Sequence, residues 1–287
     1  MNILKDHPTL RVVKSDKNLG PVIITHQQHD DLVEQHLTSD DIYVKITNRT
    51  TVENLEKRLR NIAYDFVKMV KDSHRNVKES RIVTYNIHTK SINQFYVLLK
   101  IHKPTLCVRP IVSNANGILG GLSKFTEYFL APYVRKQPSY LRDSDAIVTL
   151  LRDIPRTEEH IVRTFDVKAL YTSIDTELAV NWIHSFIPAG VKNDYLCWAL
   201  RAIMRNNFFR VDNDIYHQRR GTAMGTAVAP TFANLYLSAV EHVLLEKYKN
   251  NIVLYKRYID DGFVIWKDLG DKDSFQKFLN EFTIITK

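Results

Sequence analysis

Residues 252–266, IVLYKRYIDDGFVIW, contain two apolar runs on either side of Tyr258-Ile259-Asp260-Asp261. Apolar runs of strand length separated by turn residues predict a β-hairpin. Its tip would carry two adjacent carboxylates, which repel each other and resist removal from water. A cation would relieve that repulsion, because the flanking Arg257 and Lys267 are expected to point along the strands. For the tetrapeptide alone, a solvated acidic turn remains the alternative.

A third carboxylate follows an apolar run further up the chain. Asp166 comes near the end of a strand predicted over Ile161–Val167, where burying it unpaired would cost several kcal/mol. With Asp260 and Asp261 it would complete a set of three oxygen ligands of the kind that Mg²⁺ takes. Two such ions can activate a hydroxyl and stabilise a leaving pyrophosphate in an in-line displacement. The alternative for Asp166 is a cap for the following turn.

The composition favours a globular protein with a polyanionic partner. With 287 residues, 44% of them hydrophobic, the chain can bury one large core or the cores of two interleaved subdomains. The formal charge of +8 attracts phosphate. Lys and Arg clusters recur along the chain, which suggests a cleft lined by several segments. Solvated helix faces explain the clusters at 57–60 and 68–71 equally well. The clusters lie at 14–17, 57–60, 68–78, 100–103 and 201–205.

Several classes of protein are excluded by the same composition. Cys107 and Cys197 are 90 positions apart and without CxxC spacing, so we expect reduced thiols and no structural zinc site. Gly221–Val240 is uncharged, but its glycines, proline and polar side chains argue against a membrane span. Met1–Thr9 lacks an apolar core segment, so we expect no signal peptide.

The periodicity predicts an α+β fold with helices on one face of a mainly antiparallel sheet. Two hairpins are predicted besides the acidic one, from Phe95–Ile101 with Val108–Ser113 and from Phe208–Val211 with Ile215–Gln218. Thr283–Lys287 is expected to begin a further strand. Helices are predicted over 26–37, 51–72, 122–134, 144–153, 176–186, 194–206, from 230 onward, and over 273–282.

Three blocks, Phe165–Ile174, Gly221–Pro230 with Asn234, and Tyr258–Asp261, resemble the ordered palm motifs of reverse transcriptases. The wordings FYVLLKIHKP, RPIVS, FDVKALYTSI, GTAMGTAVAP and YIDD are most similar to Penelope-like retroelement reverse transcriptases, which are relatives of the telomerase catalytic subunit. The similarity runs from about Lys14 to the last residue.

This resemblance implies a right-hand polymerase. Its N-terminal extension and fingers would occupy 1–159 and its antiparallel palm 160–287. We expect the palm to be truncated at its C-terminus and the thumb to be missing, so this chain should support only weak synthesis. The implied location is intracellular, and nuclear for a eukaryotic retroelement.

The implied reaction is RNA-directed DNA synthesis, in which a DNA primer on an RNA template attacks a dNTP. The resemblance makes Asp166, Asp260 and Asp261 the catalytic residues. Together with the backbone carbonyl of Val167 they would hold two Mg²⁺ ions, for which Mn²⁺ can substitute. No membrane partner is expected.

The resemblance also implies a nucleotide site. Tyr171 would lie under the sugar and exclude a 2′-hydroxyl, with a plain core tyrosine as the alternative. Lys100 and Arg109, on the predicted fingers hairpin, would bind the triphosphate, with ordinary surface charges as the alternative. Gln218 and Gly225 would contact template and nucleotide from a loop that otherwise is a simple glycine-rich connection.

Two other functions stay open from the sequence. One is an RNA-directed RNA polymerase, against which the aromatic ring of Tyr171 argues because it would exclude a 2′-hydroxyl. The other is a non-catalytic nucleic-acid-binding remnant of a retroelement, which would keep the basic fingers without turnover.

Overall fold

Ten strands and ten α-helices make up the part of the chain that the computed structural model describes, residues 7–38, 42–47, 51–74, 76–155, 157–187 and 193–286. The predicted α+β class is confirmed. Residues 1–6, part of the segment that we expected not to be a signal peptide, lie outside the described residues, as does Lys287.

The strands form three sheets, two of them wholly antiparallel. The order is β1-β2 in the first, β6-β10-β9 in the second and β3-β8-β7-β4-β5 in the third. The strands are β1 (Leu10–Lys14), β2 (Pro21–Thr25), β3 (Tyr43–Lys45), β4 (Asn93–Leu99), β5 (Val108–Ser113), β6 (His160–Asp166), β7 (Phe208–Val211), β8 (Asp214–Gln218), β9 (Ile252–Tyr258) and β10 (Asp261–Lys267).

Eight of the ten described helices match predicted ranges within a few residues at each end. The two single-turn helices, Arg81–Thr84 and Leu170–Ser173, lie where no helix was predicted. They are α1 (His26–Thr38), α2 (Val52–Asp72), α3 (Arg81–Thr84), α4 (Gly120–Val134), α5 (Ser144–Arg152), α6 (Leu170–Ser173), α7 (Thr176–Phe186), α8 (Asn193–Arg205), α9 (Ala229–Lys247) and α10 (Ser274–Thr286). No helix in these described ranges combines the length and apolarity needed to cross a membrane.

The sheet β6-β10-β9 has one covered face and one more open face. Trp266 and Val264 are buried in the main core, and Phe165 contacts Phe278 of α10 in an edge-to-face arrangement. Side chains alternate between the faces of a strand, so Val162, paired with Ile265, points the other way and is 60% exposed. This arrangement leaves the second face available to a ligand.

The five-stranded sheet joins distant parts of the chain. The hairpin β7-β8 is paired as predicted, but β7 also runs parallel to β4, with Asn93 opposite Phe209. Phe209 is fully buried in a second core with Val97 and Val112 of the β4-β5 hairpin. Burial of this ring therefore attaches a hairpin from the C-terminal half to strands from the N-terminal half.

The strand expected at Thr283–Lys287 is wrong for the described residues, because helix α10 continues to Thr286. Phe278 and Phe282, one helical turn apart, are both buried against the covered face of the sheet. Their 3.6-residue spacing favours continued helix over the alternation that a strand requires. The apolar residues after Phe282 were misread as strand because the run is too short to show a period.

Candidate active site

Two of the predicted catalytic carboxylates lie directly opposite each other. Asp166 ends β6 and Asp261 begins β10, and the antiparallel register pairs them. Both side chains are exposed and lie on the more open face of the sheet. Directly opposed like charges destabilise a sheet. The pairing of Asp166 with Asp261 therefore does not contribute to the stability of the fold.

Asp260 occupies the tight turn between β9 and β10. Tyr258 pairs with Asp261, which leaves Ile259 and Asp260 as a two-residue loop. Ile259 has φ +55°, a left-handed conformation that a β-branched residue adopts only under strain. The backbone N–H of Val167 donates to the carbonyl of Asp260 at 3.0 Å, so the turn is also tied to the end of β6.

Arg257 holds this strained turn from inside the protein. Its Nη1 donates to the carbonyl of Ile259 and to Oδ1 of Asn234, both at 2.7 Å. Its Nε and Nη2 donate to the carboxylate of Glu241 in an ion pair whose two side chains are only 1% and 2% exposed. The expectation that Arg257 would point along its strand was wrong, because the guanidinium finds its counter-charge on α9.

Glu241 is a buried residue behind the candidate site that the sequence analysis missed. It accepts hydrogen bonds from the Tyr255 hydroxyl at 2.8 Å and from Ser139 Oγ at 2.5 Å. Asn234, Ser238 and Glu241 recur at spacings of four and three residues, a polar stripe on a helix whose buried positions are mostly apolar. That stripe was the available signal for a buried partner of Arg257.

The electrostatics of the turn resist ionisation of Asp260. Burial raises the pKa of Asp260, and the charges of Asp261 and Asp166 raise it further, against lowering by its own backbone N–H and by Arg109. Burial and the charge of Asp260 raise the pKa of Tyr171 to about 12, so its hydroxyl stays neutral in the physiological range. The charges of Arg109 and Asp260 both act on Tyr171, which brings the three into one electrostatic environment.

The donor set fits Mg²⁺ in chemistry but does not form a closed cage. Within the described part of the chain, no three His, Cys, Asp or Glu side chains converge closely enough to hold a metal ion. Mg²⁺ typically takes one or two carboxylates and completes its shell with water and substrate phosphates. Asp166 opposite Asp261, with Asp260 adjacent, is compatible with that incomplete kind of site.

The glycine-rich loop after β8 contacts the turn that carries Tyr171. The N–H of Thr222 donates to the carbonyl of Tyr171 at 2.6 Å. Gly221 has φ +72°, and a Cβ there would lie 2.1 Å from the same carbonyl oxygen. Glycine is therefore required for this close approach of two backbone segments.

The same loop also contacts the β4-β5 hairpin. The N–H of Val112 donates to the carbonyl of Met224 at 2.7 Å, and a Cβ on Gly225 would lie 2.5 Å from the Val112 carbonyl oxygen. Gln218 is 2% exposed, and its side chain donates to the Arg220 carbonyl at 2.9 Å. Its contact with nucleotide stays a prediction, and in this structure the amide shapes the loop.

The two predicted phosphate ligands have different surroundings. Arg109 lies on β5, and its Nε is 3.1 Å from Oδ1 of Asp16. Lys100 is the first residue after β4, where its backbone N–H donates to the carbonyl of Cys107 at 2.8 Å and closes the loop of the hairpin. The charge of Arg109 reaches Asp260, whereas no described contact links the Lys100 side chain to the carboxylates.

A cavity of about 810 Å³ lies beside the carboxylates on the more open face of the sheet. Asp166 and Asp261 line it together with Thr164 and Phe263 of the neighbouring sheet positions and with Ser144 at the start of α5. Its size is within the range of pockets for small ligands. The carboxylates therefore border a space that a substrate can enter.

Comparison with solved structures identifies the fold. The structure of telomerase from Candida albicans in complex with a TWJ fragment of telomeric RNA superimposes with a TM-score of 0.62 at 12% sequence identity, covering 97% of this chain and 48% of that chain. Apo telomerase from Candida tropicalis, truncated from its C-terminal domain, gives 0.59 at 11% identity, covering 95% and 55%. This chain resembles those telomerases in fold.

A more distant likeness is a chain from the segmented genome and RNA polymerase complex inside a dsRNA virus, with a TM-score of 0.50 at 10% identity, covering 96% of this chain and 26% of that chain. No protein-family model and no curated protein matches this chain. The chain spans about half the length of the telomerase chains that it matches.

Proposed function

We propose that this chain is the fingers and palm of an RNA-directed DNA polymerase of a Penelope-like retroelement, acting on a DNA primer, an RNA template and dNTPs. The observation that carries the proposal is the placement of Asp166 opposite Asp261 on the open face of an antiparallel sheet, with Asp260 in the adjoining turn. The telomerase-like fold supports it, because telomerase is related to reverse transcriptases.

In this proposal the three aspartates and the Val167 carbonyl hold two Mg²⁺ ions. When bound, the ions favour ionisation of the primer 3′-hydroxyl and stabilise charge on the leaving pyrophosphate. Arg109 presents a cation to the triphosphate. The Tyr171 ring excludes a ribose 2′-hydroxyl by its bulk and offers no partner for it.

Primer extension tests the proposal. A DNA primer annealed to an RNA template is incubated with this chain, Mg²⁺ and either dNTPs or rNTPs. We expect extension with dNTPs, weak in amount, and none with Asp260→Asn. Asp214→Asn is the matched control, because it removes a carboxylate whose partner is Lys45 on the surface of another sheet, and it should extend normally.

Synthesis unaffected by Asp260→Asn would overturn the site assignment. Preference for rNTPs would favour the RNA polymerase alternative, for which the viral polymerase likeness is the supporting observation.

A non-catalytic remnant is favoured by one observation, the lack of three converging metal-ligating side chains among the described residues. Titration with Mn²⁺, followed by electron paramagnetic resonance, separates the two proposals. Binding that is lost in Asp166→Asn supports the polymerase, and no binding sensitive to Asp166 supports the remnant.

A further inference from the structure

The small N-terminal sheet is attached to the β4-β5 hairpin. Val13 of β1 and Ile24 of β2 form a buried cluster with Leu99 at the end of β4. Ser15, directly after β1, forms a parallel bridge with the same Leu99. The turn between β1 and β2 is thus fixed beside the strand that pairs with the one carrying Arg109.

That turn has a demanding backbone. Lys17 and Asn18 are both left-handed, with φ +57° and +56°. Asparagine tolerates this conformation, but lysine adopts it rarely. Ser15 Oγ donates to the carbonyl of Gly20 at 2.6 Å and closes the turn. The preceding residue, Asp16, is turned inward and is only 6% exposed.

Asp16 and Arg109 form an ion pair that leaves hydrogen-bonding capacity unused. The Oδ1 of Asp16 is 3.1 Å from Nε of Arg109, with side-chain exposures of 8% and 41%. Oδ2 of Asp16 and Nε of Arg109 are buried, and neither has a hydrogen-bond partner among the described residues. A buried carboxylate with an unpaired oxygen costs stability, so the pair is poorly explained as a stabilising contact.

The side of the Arg109 guanidinium that Asp16 faces determines which of its N–H donors are available to a ligand. An arginine has five N–H donors in a planar fork. With the Nε edge facing a carboxylate, the two terminal nitrogens stay available for a second anion, and no described hydrogen bond engages them. The charge of Arg109 acts on Asp260 and Tyr171, which brings this residue into the environment of the candidate site.

We propose that Asp16 is a positioning residue, which fixes the Arg109 guanidinium by its Nε edge so that its terminal nitrogens face the triphosphate of an incoming nucleotide. This inference rests on the proposed polymerase function. It makes the N-terminal segment part of the nucleotide site, although Asp16 itself touches no substrate. The strained turn at Lys17 and Asn18 is then retained because it directs Asp16 toward Arg109.

Nucleotide affinity in the absence of turnover tests the proposal. The 287-residue chain is mixed with an RNA template and a DNA primer ending in a 2′,3′-dideoxynucleotide, so that no bond can form. The complementary dNTP is then titrated in Mg²⁺. Four proteins are compared: the unsubstituted chain, Asp16→Asn, Arg109→Gln and the double variant. Asp30→Asn is the control, because it removes a carboxylate from an exposed N-terminal ion pair with Arg11.

We expect Asp16→Asn to raise the Kd for dNTP about tenfold, the scale of one charge-assisted contact. Arg109→Gln should raise it at least as much, and the double variant no further, because Asp16 acts through Arg109. Thermal stability of Asp16→Asn should be unchanged or higher, since the variant no longer buries a negative charge whose Oδ2 has no hydrogen-bond partner among the described residues. Asp30→Asn should bind normally.

Unchanged dNTP affinity in Asp16→Asn, with a loss in Arg109→Gln, would overturn the positioning role while leaving the polymerase proposal intact. Additive losses in the double variant would overturn it as well. An unsubstituted chain that binds no dNTP would refute the proposed function and this inference together. If Asp16→Asn fails to fold, Arg109→Lys replaces it: lysine keeps the charge but has no Nε edge, and native affinity in that variant would equally overturn the role.

Discussion

Neutralising Glu241 should destabilise the whole protein and loosen the turn that carries Asp260. Glu241→Gln keeps the size of the side chain and removes the carboxylate that pairs with the Arg257 guanidinium, the one counter-charge in contact with it in the described part of the chain. Burial is the largest single influence on the pKa of Arg257 and lowers it, but the charge of Glu241, its hydrogen bond and the contribution of Tyr255 together raise that pKa above its ordinary value. A guanidinium is effectively always protonated in proteins, so Arg257 stays charged in the variant and has no carboxylate beside it among the described residues.

The magnitude follows from the burial of the pair. Removing one member of a fully buried ion pair costs about 3–5 kcal/mol, because the other charge stays desolvated. Arg257 keeps its bonds to Asn234, Ser238 and Ile259, so we expect the lower end, about 3 kcal/mol. For a domain of this size that corresponds to a fall in Tm of roughly 6–12 °C.

Thermal and urea denaturation followed by circular dichroism measure this effect. Asp214→Asn is the control, because its partner Lys45 is a surface residue and screening by water should leave Tm unchanged within error. Primer extension below the Tm of the variant reports the loosening of the turn that carries Asp260. We expect extension to be reduced, because Arg257 Nη1 donates to the Ile259 carbonyl in that turn. A Glu241→Gln protein as stable as the native one would refute the reasoning.

Three further predictions concern the same region. Asp260→Asn should raise Tm at pH 7, because the raised pKa of Asp260 means that the native protein loses stability as the pH rises through that pKa. The gain in Tm should therefore shrink as the pH falls through the raised pKa and be gone below about pH 3.8, the ordinary value. Gly225→Ala should destabilise more than Gly20→Ala in urea denaturation, by roughly 1–3 kcal/mol, because both have positive φ but only the first would contact a backbone oxygen, that of Val112. Tyr171→Ala should raise rNTP incorporation relative to dNTP by about tenfold or more in single-nucleotide extension, and an unchanged ratio would show that the ring does not select the sugar.

The elements that the sequence predicted well are those with a clear local period. Helix α2 begins within one residue of its predicted start and ends at its predicted end, with Leu55, Leu59 and Phe66 buried on one face, and the acidic hairpin forms with its two strands slightly extended. Local apolar spacing decides which face of such an element is buried. The terminal strand was wrong because only the burial of Phe278 and Phe282 against the sheet reveals that the helix continues.

The candidate site likewise has a part that local sequence predicts and a part that depends on the pairing of distant segments. The chain by itself determined which residues bear the carboxylates, because an acid at the end of an apolar strand and an acidic pair in a turn are visible as local exceptions to an apolar pattern. Their juxtaposition, Asp166 against Asp261, was only inferred, since strand register depends on the pairing of segments about a hundred residues apart.

The partners of the cations were decided by the tertiary structure alone. Arg257 is separated by 16 residues from Glu241, and Arg109 lies opposite an aspartate at position 16, far away in the sequence. The polar stripe on α9 signals that a buried partner lies there, but no local pattern shows which cation pairs with which acid, because a charge is stabilised by whatever lies within a few ångströms of it in space. The sequence by itself fixed the acidic turn and the strands on either side of it, and only the fold decided which buried charges hold that turn in place.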